Sequence, residues 1–182
     1  MWAIIGLLLT ILGTFQNAFI ASLHWTANQP EIQPQALGIT CQIGAVLLVG
    51  CLGGKNAGAL SQIAYLALGL AGWPVFTQGS GISYIEKPGF GYLLGFIPGA
   101  WLCGYLAFKT RPQLESLGFS CLCGLGVIHL MGLLYLIVLR AFNADLFQMI
   151  LVYSLQPLPA QLAMACAVAV LSFFLRRLLF IP

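Results

Sequence analysis

The chain has 182 residues, 60% of them hydrophobic and only 6% charged, with a mean hydropathy of +0.98 and a net charge of +3. Soluble domains carry about 25% charged residues, so this composition excludes a water-covered globule and predicts a single integral membrane domain over residues 1–182. The small positive balance excludes nucleic acid as a partner.

The first apolar run extends from Trp2 to about residue 24 with no Lys or Arg ahead of it. It exceeds the roughly 7–15 residues of a signal-peptide core and predicts a first spanning helix. About 20 apolar residues cross a bilayer. By that measure further spans fall at 37–54, 57–74, 90–108, 117–140 and 160–181. The expected architecture is an all-α bundle of six transmembrane helices. The run 144–156, closed by Gln156-Pro157-Leu158-Pro159, is too short to cross and predicts an interfacial or re-entrant piece.

Basic residues set the orientation. One side of this arrangement carries the N-terminus, Lys55, Lys109, Arg111, Glu115, Arg176 and Arg177; the other carries Glu31, Glu86, Lys87, Arg140 and Asp145. Both termini are therefore expected in the cytoplasm, with loops 25–36, 75–89 and 141–158 facing outward.

Polar residues inside the spans gather toward the outward side: Gln16, Asn17, Thr40, Gln42, Tyr92, Tyr135 and Gln161. Such groups avoid lipid and face a partner or a wet cavity. Taken singly they read as interhelical glue; taken together beneath three outward loops they read as a ligand pocket. Gln62 and His129 are the exceptions in the inner half, and a lone mid-helix His reads as a hydrogen-bonded structural residue. No chain of acids and bases crosses the membrane, which excludes a proton relay.

Small residues repeat every four positions at Gly91, Gly95, Gly99, Cys103 and Ala107, and again at Ala163/Ala167 and Ala18/Ser22. They allow close backbone approach, either inside the bundle or toward another subunit. The six cysteines lie within spans; Cys121 and Cys123 point to nearly opposite helix faces and cannot share an ion. No metal site, cofactor or catalytic constellation is expected. Gly79-Ser80-Gly81 lacks the Gly-Lys-Ser/Thr of a phosphate loop and reads as a turn.

Several stretches carry a resemblance. They are Thr40-Cys41-Gln42 through Gly50, Gly54 and Gly58-Ala59-Leu60; Gly72-Trp73-Pro74-Val75-Phe76; Gly79-Ser80-Gly81; Pro88 through Phe96; and Leu158-Pro159-Ala160-Gln161-Leu162 running on to Arg176-Arg177. Together, over roughly residues 34–180, they resemble the BioY family, the biotin-binding S components of energy-coupling-factor (ECF) transporters.

The resemblance implies a multi-pass protein of the bacterial cell membrane that captures biotin from outside. It would act with a transmembrane coupling subunit and cytoplasmic ATPases, surrounded by membrane lipid. It implies that Phe76, Ser80 and Tyr92 line or cap the pocket and that Gln42 and Gln161 make polar contacts. Family members usually carry an acid at the position of Gln161 and a Lys at that of Met164. Lys87, Arg140 or the N-terminus of the last helix would then supply the charge for a ligand carboxylate. Helix 1 around Ala18 and Ser22 is the expected docking face. The alternatives are an S component for a different small vitamin and a non-transporting membrane assembly protein.

Overall fold

The computed structural model describes residues 1–26, 29–77, 79–140 and 146–179, leaving aside the side chains of 20–37 and 140. Helix α1 covers Trp2–Phe15. Its outward face is Ile4, Leu8, Leu12 and Phe15, while Gly6, Thr10, Gly13 and Thr14 are buried. Polar and small residues inside with large apolar ones outside is the arrangement expected where the surroundings are lipid. The buried hydroxyls are satisfied locally: Thr10 Oγ1 donates to Gly6 O and Thr14 Oγ1 to Thr10 O, both at 2.8 Å.

The expected first span to residue 24 is not one helix. After Phe15 the chain turns extended and forms an antiparallel hairpin of β1, Asn17–Thr26, and β2, Gln29–Thr40. Gln16 takes extended dihedrals, and its carbonyl accepts the Cys41 N–H at 2.8 Å, which ties the hairpin's base to the next helix. Ala18 and Ser22 therefore sit on a strand, and the helical small-residue face expected of them does not form.

The stretch α2, Gln42–Leu70, is two helical arms that meet at a kink, Gly54, with φ 79° and ψ 177°. That left-handed value favours glycine and reverses the chain. Gln42 and Tyr65, 23 residues apart, are joined by a 2.9 Å hydrogen bond; along a straight helix they would be about 35 Å apart. The stretch is thus two antiparallel arms meeting at one residue. Gln62 Nε2 on the second arm reaches Thr10 Oγ1 of α1 at 3.1 Å.

A short 3-10 turn, Ile82–Glu86, leads to α3, Phe90–Ala107, which packs along α4, Leu114–Arg140. The glycine stripe is the seam between them. A Cβ on Gly95 would stand 2.9 Å from Ile128 O, and one on Gly99 3.0 Å from Gly124 O, so only glycine permits this approach. The short α5, Leu146–Ile150, runs into a π-helical turn, Leu151–Leu155. Then α6, Leu158–Leu178, begins behind Pro157 with Pro159 in its first turn, where the missing N–H costs nothing.

By length and composition alone, four helical stretches among the described residues are long and apolar enough to cross a membrane: α2 counted through its reversal at Gly54, α3, α4 and the run Leu146–Leu178. The segment from Leu146 onward is thus counted with the last helix by that measure. Arg176, expected in a cytoplasmic cluster, is fully buried. Its Nη1 donates to Ala107 O at 2.7 Å and its guanidinium lies 4.2 Å from the Phe108 ring centre. Trp2, Gly54, Phe108 and Arg176 share one end of the bundle, since a Cβ on Gly53 would touch Trp2 and one on Gly54 would touch Phe108.

Candidate functional site

At the opposite end lies a cavity of about 200 Å³ between the start of α2, the 75–89 loop, the start of α3 and the start of α6. It falls below the roughly 300–1,000 Å³ usual for drug-sized ligands and suits a compact one. Its floor and walls are mainly apolar, with Ile43, Leu93 and Phe96, and two buried amides open into it, Gln42 and Gln161.

The partners of each amide fix what it offers. Tyr65 O–H donates to Val75 O at 2.9 Å, so the phenol oxygen is left to accept from Gln42 Nε2 at 2.9 Å. Gln42 Oε1 has no hydrogen bond among the described residues and is not sealed from solvent. Gln42 therefore presents an acceptor. Gln161 is held the other way round, its Oε1 lying 2.6 Å from His129 Nε2. A carbonyl oxygen only accepts, so Nε2 donates, and the free Gln161 amide nitrogen presents donors to the same cavity. The two amides face the site with opposite polarity.

Behind Gln161 the network continues. His129 Nδ1 lies 3.3 Å from Ser154 Oγ, which lies 2.6 Å from the Tyr92 phenol. The Tyr92 ring lines the cavity, stacks near Tyr153 at 6.3 Å and meets His129 edge-on at 5.8 Å. On the loop side an aromatic ladder runs Tyr65, Phe76, Tyr84 and Phe90, with successive centroids 5.4, 4.6 and 6.4 Å apart. Burial pushes the Tyr84 phenol above its ordinary range, opposed by its hydrogen bond with Thr77; both side chains line the cavity.

The residues expected from sequence divide accordingly. Gln42, Tyr92 and Gln161 meet at the cavity, joined by Thr40. Phe76 is buried and supports Tyr84 from behind. Ser80 is turned to its own loop, donating to Gly72 O at 3.0 Å, and does not reach the cavity wall. Lys87 holds its ammonium 5.1 Å over the Tyr84 ring. The Arg140 side chain and Asp145 lie outside the described residues. Tyr135 O–H donates to Ile85 O and fastens the 3-10 turn to α4. Met164 lies in an apolar groove between α1, α2 and α6, against Gly44, and so is not part of the polar cavity.

Two participants have no marked signal in the sequence, Tyr65 and Ser154, while His129, expected as a hydrogen-bonded structural residue, bonds a residue of the cavity. His129 was assigned to the inner half, but α4 is 27 residues long, about 40 Å, and residue 129 comes level with the start of α6. The sequence argument about cysteines concerned Cys121 and Cys123; the sulfurs that approach one another belong to a different set. Cys51, Cys103 and Cys121, from three helical segments, bring their sulfurs within 4.8 Å of one another, fully buried near Arg176.

Comparison with known proteins places this architecture. A family model described as the BioY family matches residues 4–180, extending over the N-terminal helix as well. An uncharacterized 21.2 kDa protein in the psbX–ycf33 intergenic region of Cyanophora paradoxa is 30% identical over 98% of this chain and 94% of its own length. A probable biotin transporter BioY of Lysinibacillus sphaericus is 38% identical over 66% of this chain and 62% of its own length. A crystal structure of the S-component for biotin from an ECF-type ABC transporter aligns over 97% of this chain and 88% of that one with a TM-score of 0.70. At 23% identity that likeness speaks for the shared fold. With its helices, its cavity and a family match along nearly the whole sequence, the chain belongs to the BioY family.

Proposed function

We propose that this protein captures biotin at the outer membrane surface and serves as the high-affinity binding subunit, the S component, of an ECF-type transporter. The observation that carries this reading is the opposed polarity of Gln42 and Gln161 across one small apolar cavity. Biotin's ureido group has N–H donors and a carbonyl acceptor on one rigid apolar bicycle. Gln42 Oε1 would take an N–H and the Gln161 amide would take the carbonyl, while Tyr84, Tyr92 and Phe96 would enclose the rings. Lys87, whose ammonium lies over the Tyr84 ring, would meet the carboxylate tail. The related biotin transporters support the same ligand.

Counting the arms of α2 separately, α1, both arms, α3, α4 and α6 would be the six helices of the bundle, α1 and the arms being shorter than the roughly 20 residues of a full crossing, with the start of α1 and the end of α6 on the Arg176 side, taken as cytoplasmic in a bacterial plasma membrane. Energy would come from a transmembrane coupling subunit and ATPases, because the sequence holds no phosphate loop. Binding is tested by titrating biotin and a panel of other vitamins into the purified protein in detergent. Saturable binding of biotin alone supports the proposal, and tighter binding of another vitamin would overturn it. Accessibility labelling of Lys55 and Lys109 from the cytoplasmic side tests the orientation. Protein reconstituted alone in liposomes should not concentrate biotin.

A further inference from the structure

His129 is fully committed to the pocket wall yet does not line the cavity. Both ring nitrogens are used, and donor–acceptor counting fixes the direction of each bond. Nε2 donates to Gln161 Oε1, so in the neutral ring Nδ1 accepts. It accepts the Ser154 hydroxyl proton, and Ser154 Oγ in turn accepts from Tyr92 O–H. The row Tyr92→Ser154→His129→Gln161 thus has a single sense. Reversing it requires moving the imidazole proton, turning two hydroxyls and flipping the amide together.

We propose that His129 is the positioning residue of this site: it clamps the Gln161 carbonyl so that only amide donors face the ligand, with Ser154 holding its tautomer. The inference rests on the biotin reading for the identity of the ligand. Its consequence concerns which ligand chemistry is admitted. A glutamine free to rotate would serve a carbonyl or a cation equally well, because its oxygen and nitrogen exchange places. Clamped, it accepts a ligand carbonyl and repels a ligand donor, which would meet N–H against N–H. The Tyr92 oxygen, having given its proton to Ser154, keeps only acceptor capacity. The site then matches a cyclic urea or lactam, with adjacent donor and acceptor. It rejects a guanidinium of the same shape. Tyr65 holds Gln42 in the complementary sense, so both ends of the recognition depend on groups one step behind the wall.

The test compares biotin with 2-iminobiotin, whose ureido oxygen is replaced by a nitrogen that is protonated and donating at neutral pH. The parent protein should prefer biotin. His129→Phe should weaken biotin binding by about tenfold or more and narrow or invert the preference, because the released amide can turn its oxygen to the cation. His129→Gln, which keeps a donor where Nε2 stood, should restore the parent order. A folded His129→Phe protein with the parent ratio of affinities would overturn the proposal. Nitrogen-15 NMR of the labelled histidine in the ligand-free parent gives an independent reading. The Nε2–H tautomer at His129 supports the clamp, and the Nδ1–H tautomer overturns it whether or not biotin binds. Absence of biotin binding in the parent would instead defeat the ligand assignment alone.

Discussion

The two ends of this bundle handle buried polarity in opposite ways. Around the cavity, the polar side chains pass hydrogen bonds from one to the next: Gln42 to Tyr65, and Tyr92 through Ser154 and His129 to Gln161. At the other end Arg176 is buried completely with one bond to Ala107 O, while its Nε and Nη2 have no hydrogen-bond partner among the described residues. Arg176 meets an orphaned carbonyl at the end of α3, where a cation also suits the helix dipole, and it stitches α6 to α3. One end is organised for direction, the other for closure. Changes at the cavity should therefore move ligand recognition, and changes at the Arg176 end should move stability.

The largest effect is expected at the closed end. A Cβ on Gly104 would stand 2.5 Å from Lys55 N, where backbone meets backbone and neither side can yield. Gly104→Val should cost about 3 kcal/mol or more, read as a large fall in unfolding temperature in detergent or loss of the monodisperse protein. Next is Gln161→Ala at the cavity. Leaving the ligand carbonyl without its donor should cost about 1–3 kcal/mol, a ten- to hundredfold loss of biotin affinity, with a smaller fall in unfolding temperature than Gly104→Val gives. A stability loss of equal size would erase the distinction between the ends.

Arg176→Met sharpens it from the other side. Replacing an incompletely partnered buried charge with an apolar chain of similar length is neutral or stabilising, by up to a few kcal/mol; a fall in unfolding temperature would show that the bond to Ala107 outweighs the two unpaired groups. Biotin affinity should not move. The smallest effect belongs to Ser80→Ala. Its exposed bond to Gly72 O predicts less than about 0.5 kcal/mol and unchanged binding, and a tenfold affinity loss would return Ser80 to the site.

Apolar run lengths in the sequence locate the later helices to within a few residues, because crossing a bilayer demands a continuous helix and leaves little choice. Expected 90–108, 117–140 and 160–181 became Phe90–Ala107, Leu114–Arg140 and Leu158–Leu178. Composition failed after Phe15, since apolar content does not distinguish a helix from a strand, and the pairing of Ile20 with Gln35 is a non-local event. Gln42, Tyr92 and Gln161 were legible from their shared depth, because an amide or a phenol in a span needs a reason to be there. Tyr65, Ser154 and the tie of His129 to the cavity were not, because a lone aromatic, serine or histidine has many structural uses. Their role depends on which helix faces them. Ser80 and Phe76 show the converse: a conspicuous turn and an aromatic that serve the loop and the wall rather than the cavity.

The one-residue reversal at Gly54 also couples the two arms of α2 with no linker between them, so that the register of one fixes the register of the other. A residue inserted beside Gly54 would rotate one arm by about 100° against the other, turning Gln42 away from Tyr65. The bond that sets the acceptor side of the cavity lies at the far ends of that hairpin. One side of the cavity thus depends on the closing of the α2 hairpin, and the other on α4 and α6 bringing His129 and Gln161 together.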